Sequence, residues 1–277
     1  MPVTGNKTFH PLSLSIRLYA DGFSFFVCDP QTSSLVRGEH FRRSDSVSLA
    51  QQLQQELCKP DYFNSQIDQA YVLICSPSTR VPLEEFHRDE ASALYGLTFA
   101  NEEMDSLRVA YTIQPQLESV ELYAIPSDVE ETILQFYPTA RFFASRAMLM
   151  ERLLRYDEDV PLTGARRMFL CPEENGFSLY AFADGHLRFA NCFATENNTD
   201  SLYFALNTWQ ALGFQALTDH LTLCLAVTDD LEALRQSLSE YLLHVDVLTH
   251  NDLFPRVPLT REKQVPADLK ALLLNRL

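Results

Sequence analysis

The feature that most limits what this chain can become is a repeat. "DGFSFFVCD" begins at Asp21 and "NGFSLYAFA" at Asn175, so an Asx-Gly-Phe-Ser run recurs 154 residues later in a chain of 277 with only 8 glycines. Three matched residues alone would mean little. The context decides, because the patterns around both runs follow one order. "LSLSIRLY" (12–19) alternates apolar and polar residues, as a half-buried strand does, and Asp21-Gly22 then turns it into "FSFFVCD". A third strand, "SLVRGEHF", follows the "DPQTSS" turn. Ser46 then opens a helical pattern with Val47, Ala50, Leu53 and Leu57 on one face, and "QAYVLICS" (69–76) reads as a buried strand. From Met168 the walk repeats: a short strand, Asn175-Gly176, "FSLYAFA", an Asp184-Gly185 hairpin and "HLRFANCF". Thr199 opens the next helix, with Leu202, Leu206, Trp209 and Leu212 as its expected stripe, and "LTLCLAV" (221–227) is the next buried strand. Gly22 stands 24 residues before Ser46, and Gly176 stands 23 before Thr199. Equal order at near-equal spacing predicts internal duplication.

That reading predicts an α/β protein of two domains with mixed β-sheets and helices. Residues 1–160 form the first, with an inserted subdomain at about 97–120, and residues 161–277 the second, with a C-terminal helix. "YDEDVPLTGARR" (156–167) marks the boundary by its turn residues and charge. Pro82 is read as the start of a helix running through "PLEEFHRDEASALYG". With 46% hydrophobic residues the chain can bury an ample core.

A net charge of −15 argues against nucleic acid as a partner, since a phosphate backbone demands basic neutralisation. The six cysteines (28, 58, 75, 171, 192 and 224) show no C-x-x-C and no zinc spacing, which predicts free thiols in a reducing compartment. The N-terminus lacks the layout of a signal peptide, and no run approaches the ~20 apolar residues of a membrane span. The chain reads as soluble and cytoplasmic, with no direct membrane insertion.

Few local patterns suggest chemistry. "HRDEASAL" (87–94) opens like a kinase catalytic loop but has Leu94 where that loop needs Asn. The acidic runs at 102–105 and 157–159 lack the alternating ligands and turn glycine of a calcium loop, so they read as solvated charge. Arg166-Arg167 reads as a surface pair at a strand start. Trp209 is expected in the core, and Tyr203 and Phe204, if exposed, would form an aromatic patch.

A hairpin, third strand, helix, strand and helix, all present twice, resembles the actin-like ATPase fold, a duplicated ribonuclease H-like architecture. The stretch "VELYAIPSDVEETILQFYPTARFFASRAMLMERLL" is similar to the return path of pilus-assembly and secretion-platform members. The nearest resemblance is to an uncharacterised bacterial family assigned to this fold. ATP-using members carry Asp-x-Gly at the end of strand 1, where the carboxylate positions magnesium and glycine admits the phosphates. Carried across, that motif falls on Arg17-Leu18-Tyr19 in the first half and on Cys171-Pro172-Glu173 in the second. The glycine pairs expected further on fall on "ATENNTDS" and "VTDDLE", which hold no glycine. The resemblance therefore implies degenerate phosphate hairpins at Arg17, Tyr19, Asp21, Gly22, Cys171, Glu173, Asn175 and Gly176. It implies no catalytic residue, no metal site, no cofactor, and a protein partner for a scaffold. A diverged ATP- or sugar-phosphate-binding enzyme, or a small-ligand sensor using the interdomain cleft, are the alternatives.

Overall fold

The structure is a computed structural model that describes residues 11–64, 66–100, 104–173, 176–224 and 229–276. The chain divides into two compact units, 1–149 with 256–277, and 150–255. None of its described helices is long and apolar enough to cross a membrane.

In the first unit, β1 (Leu12–Tyr19), β2 (Gly22–Asp29) and β3 (Ser34–Arg42) form an antiparallel meander. Helix α1 (Leu49–Leu57) leads to β4 (Ile67–Ile74), which pairs parallel with β1. β5 (Ser78–Pro82) and helix α2 (Ala91–Thr98) precede β6 (Leu107–Gln114) and β7 (Ser119–Pro126). Helix α3 (Ser127–Phe136) and β8 (Arg141–Ala144) follow, with β8 parallel to β4. The five-stranded sheet has the order β3-β2-β1-β4-β8, and β5-β7-β6 form a separate antiparallel sheet. β2 is an interior strand buried along both faces, which is why "FSFFVC" is apolar but for Ser24. The small sheet and α2 share a core of Ala91, Tyr95, Val120, Leu122 and Ala124.

Helix α4 (Ser145–Asp159) spans the division between the units. In the second unit, β9 (Arg167–Glu173), β10 (Gly176–Ala183) and β11 (His186–Ala194) repeat the meander. Helix α5 (Asn198–Ala211), β12 (His220–Cys224), helix α6 (Asp229–Ser239) and β13 (His244–Leu248) complete it. The order β11-β10-β9-β12-β13, with β12 parallel to both β9 and β13, is the first sheet's order repeated. One core joins Leu170, Leu179, Trp209, Leu223 and Leu234. A short helix, α7 (His250–Leu253), ends the unit.

Several expectations need correction. Residues 256–277, placed with the second domain, cluster with the first unit. There α8 (Pro258–Arg261) gives the Leu259 N–H to the Ser33 carbonyl at 2.8 Å, and α9 (Ala267–Arg276) is tied to β1 through Asp268. The inserted part is wider than 97–120, since its sheet starts at Ser78. Pro82 ends β5 instead of starting a helix, and only two 3₁₀ turns precede Ala91. The boundary stretch is part helix, because 156–159 belong to α4.

The caps are Ser48 and Asn197, not Ser46 and Thr199. Ser48 and Gln51 form a reciprocal capping box, and the Asn197 side chain accepts from Asp200 N at 3.0 Å. On α5 the buried residues are Ser201, Ala205, Thr208 and Trp209, with Leu202, Leu206 and Leu212 only packed around that core. Arg167 is no surface residue: it is buried and bonds Asp157 at 2.7 Å and the Val160 carbonyl at 3.0 Å. Arg166 pairs with Asp219. All six cysteines are free thiols, three of them buried and Cys58 exposed.

Candidate functional site

The two hairpins correspond residue for residue. In the first, Tyr19 pairs with Gly22 across the Ala20-Asp21 turn. Gly22 has φ +155°, and a Cβ there would stand 2.0 Å from the Phe41 carbonyl oxygen. In the second, Glu173 pairs with Gly176, whose φ is +139° and whose Cβ would stand 1.9 Å from the Phe193 carbonyl oxygen. Only glycine tolerates either position. Phe23 stacks on Phe41 with centroids 4.9 Å apart, and Phe177 stacks on Phe193 at 5.4 Å. Even the register shift recurs, between Val27 and Cys28 in β2 and between Ala181 and Phe182 in β10.

Behind each turn lies a serine with a neighbour on both flanking strands. Ser24 Oγ lies 3.2 Å from the Tyr19 hydroxyl and 2.7 Å from His40 Nδ1. Ser178 Oγ donates to Glu173 Oε1 and lies 3.2 Å from Cys192 Sγ. Register explains this: Ser24 is opposite Arg17 and His40, and Ser178 is opposite Cys171 and Cys192. The relay through serine is kept while its flanks differ.

At the strand 1 positions, the halves part. Arg17 Nε donates to Asp268 Oδ2 of α9 at 2.8 Å, and its guanidinium lies 5.7 Å from the Tyr19 ring centre. Ser145 Oγ donates to the same carboxylate oxygen, and Cys75 Sγ lies 3.9 Å from it. Asp268 is buried, and its Oδ1 accepts from Leu269 N at 2.8 Å in the first turn of α9, where negative charge suits the helix dipole. Burial alone would lower the Arg17 pKa, but attraction to Asp268, the hydrogen bond to it and the neighbouring Cys75 and Tyr19 together outweigh burial and raise the group above its usual value. In the second unit the matching residue, Cys171, is buried, which pushes its thiol well above the ordinary range with the help of neighbouring Cys224. Burial likewise pushes the Tyr180 phenol well up.

Of the residues singled out in the sequence, the structure brings Arg17 and Tyr19 together at the turn of β1 and β2, with Asp21 exposed at its tip and Gly22 opening β2. Cys171, Glu173 and Gly176 hold the equivalent places, and Asn175 lies outside the described residues. "ATENNTDS" is the end of β11 and the start of α5, while part of "VTDDLE" lies outside the described residues. Among the described residues, no three His, Cys, Asp or Glu side chains are grouped to hold a metal.

Sequence reasoning missed Asp268, Ser145 and Cys75. Asp268 is 251 residues from Arg17, so no local pattern could join them. The serine relay did have a signal, since Ser24 and Ser178 belong to the repeated run itself. Tyr203 is 63% exposed and Phe204 half-buried, so the expected aromatic patch has one fully presented ring.

Residues 6–245 match the family described as a protein of unknown function (DUF3822). The chain belongs to the DUF3822 family. No curated protein matches it. Among solved structures, a Bacteroides thetaiotaomicron VPI-5482 protein with actin-like ATPase fold and unknown function is 24% identical. The alignment covers 99% of each chain with a TM-score of 0.78. A chain of the PilM–PilN type IV pilus biogenesis complex is 12% identical, with 96% of this chain and 97% of that one covered and a TM-score of 0.53. This DUF3822 chain thus has the actin-like ATPase fold that the resemblance implied.

Proposed function

We propose that this protein is a non-catalytic actin-like scaffold of the cytoplasm, which binds another protein and has lost the nucleotide chemistry of its fold. The observation that carries the reading is Arg17. The resemblance assigns its position to the carboxylate that positions magnesium, and here that position is cationic and already paired with Asp268. Without a carboxylate there, charge on a transferring phosphoryl group loses its main neutralising partner. Glycine is also missing where backbone should approach phosphate, with Tyr19 and Glu173 in its place. Glu173 adds repulsion of ~1 kcal/mol per charge pair at 4 Å even in bulk water. The likeness to a chain of a pilus biogenesis complex supports a role in assembly with a protein partner.

Calorimetry of the full chain with magnesium-ATP tests the reading. The expected result is no saturable binding at millimolar nucleotide and no thermal stabilisation, whereas a ligand at 100 Kd would add ~2.7 kcal/mol. Saturable binding below 1 mM, the upper limit set by that test, overturns it. In that event Glu173→Gly identifies the place: tighter binding marks the second hairpin as a weakened phosphate site.

A further inference from the structure

Three donors from three separate elements converge on one oxygen of Asp268: Arg17 Nε, Ser145 Oγ and Cys75 Sγ. Their placement is orderly. β1, β4 and β8 are parallel neighbours in the sheet. Arg17 lies near the carboxyl end of β1, Cys75 directly follows β4, and Ser145 directly follows β8. In open α/β sheets the carboxyl ends of parallel strands are where ligands bind. A cation and a hydroxyl aimed at one point, just beyond those ends and at the start of the 15-residue helix α4, have the chemistry of an oxyanion cradle. The acceptor that fills it is not part of the sheet. It belongs to the C-terminal helix, which is buried from Asp268 through Leu273.

That helix also holds a second charged residue among its buried ones. Lys270 is buried, and burial lowers its pKa, with Glu262 attraction only partly offsetting it. The Asp268 contact is the polar link that joins α9 to the ends of β1, β4 and β8.

We propose that Arg17, Ser145 and Cys75 form an oxyanion-binding site whose resident ligand is the Asp268 carboxylate, so that the C-terminal helix is an autoinhibitory plug exchangeable for a phosphate or carboxylate group. The inference rests on the reading of the hairpins as unable to use magnesium-ATP, and it adds that the first unit's site is closed by the chain itself. A partner or metabolite bearing an accessible oxyanion would take the place of Asp268 and free α9.

The test uses the full chain with inorganic phosphate and acetate as probes, at constant ionic strength against chloride. In Asp268→Ala the melting temperature falls, and both probes restore it saturably, while the wild type responds to the same probes only at higher concentration, because Asp268 competes for the cradle. Phosphate binds this variant at least about tenfold more tightly than wild type, as loss of a competing charge-assisted bond implies. Adding Arg17→Met abolishes the response. Should Asp268→Ala not fold in chloride, Asp268→Asn keeps the shape without the charge. It then shows faster hydrogen exchange in the 267–273 amides and the same anion response. No anion response in either variant overturns the proposal, as does a response that survives Arg17→Met. These readouts are distinct from magnesium-ATP binding by the wild type, which bears on the scaffold reading alone.

Discussion

Replacing Gly22 or Gly176 with alanine tests whether the two repeats are one device. Each glycine opens the second strand of its meander with positive φ, and each would place a Cβ about as close to a carbonyl oxygen, 2.0 Å from Phe41 and 1.9 Å from Phe193. Holding a non-glycine residue in such a conformation costs about 1–3 kcal/mol. Relieving an overlap of that depth requires the β2–β3 or β10–β11 ladder to move, costing about 1–3 kcal/mol more. Alanine recovers about 0.4–1 kcal/mol by restricting the unfolded chain. The net is a loss of about 1–5.5 kcal/mol for each variant, against a total stability of about 5–15 kcal/mol for an ordinary domain.

Urea unfolding supplies the measurement, and the protein provides a convenient division of signal. Its single tryptophan, Trp209, lies in the second unit's core, so fluorescence follows Gly176→Ala, while far-ultraviolet dichroism follows both units. The losses for the two variants should agree within about 1 kcal/mol, the usual scatter of single interactions. Gly96→Ala is the control. Gly96 sits inside α2 with nothing within 4 Å of a Cβ, so alanine there should stabilise by about 0.5–1 kcal/mol. A loss below about 0.5 kcal/mol for Gly22→Ala would refute the argument, since the Phe41 carbonyl would then have room to spare.

Two further outcomes concern buried charge and thiols. Burial alone would raise the Asp219 pKa, but bonds from the Arg166 side chain and from the Gln215 and Arg166 backbone outweigh it and hold the group below its usual range. A lowered folded pKa means stability present above the unfolded value of about 3.9 and lost as pH falls through the folded value. Asp219→Asn should cost about 1–3 kcal/mol at neutral pH and flatten the acid limb below about pH 4; equal acid limbs in urea titrations would count against the pairing. Of the six thiols, Cys58 is exposed, whereas burial pushes Cys28 up to about 12 and Cys171 well above its usual value. A disulfide-exchange reagent should therefore modify Cys58 first in the native chain, and Cys28 and Cys171 only after denaturation. Rapid native modification of Cys171 would refute its burial at the second hairpin.

How far the sequence could be read follows from the range of the forces involved. Alternation and turn chemistry are local, so the meanders, Asp184-Gly185 and the order of elements from β6 to α4 were legible. Asp184 and Gly185 do adopt the positive φ that a two-residue hairpin requires. Pro82 misled because its helix-start signal competes with the need of β7 for an edge partner, and Pro82 ends β5 opposite Ser119. The α5 stripe was misread by about one residue, because small Ser201 and Ala205, not the leucines, allow close packing against the sheet. Arg167 misled in the opposite way. A charged doublet looks solvated, yet the Asp157 carboxylate supplied by the preceding helix lets one member be buried.

The same distinction separates what duplication preserved from what it did not. Backbone demands recur at both hairpins: the positive-φ glycine, the stacked phenylalanines, the register shift and the serine with a polar neighbour on each side. These are fixed by close contact within one meander, so any copy of the meander must satisfy them again. Charge is free of that constraint. Arg17 answers to Asp268, a residue outside the repeat altogether, and its counterpart Cys171 answers to Cys224 on the neighbouring strand. Sequence repetition could therefore locate the hairpins and predict their geometry. Whether a hairpin position is open to an anion or already filled depends on an element 251 residues away, and only the assembled first unit reveals that Arg17 is filled.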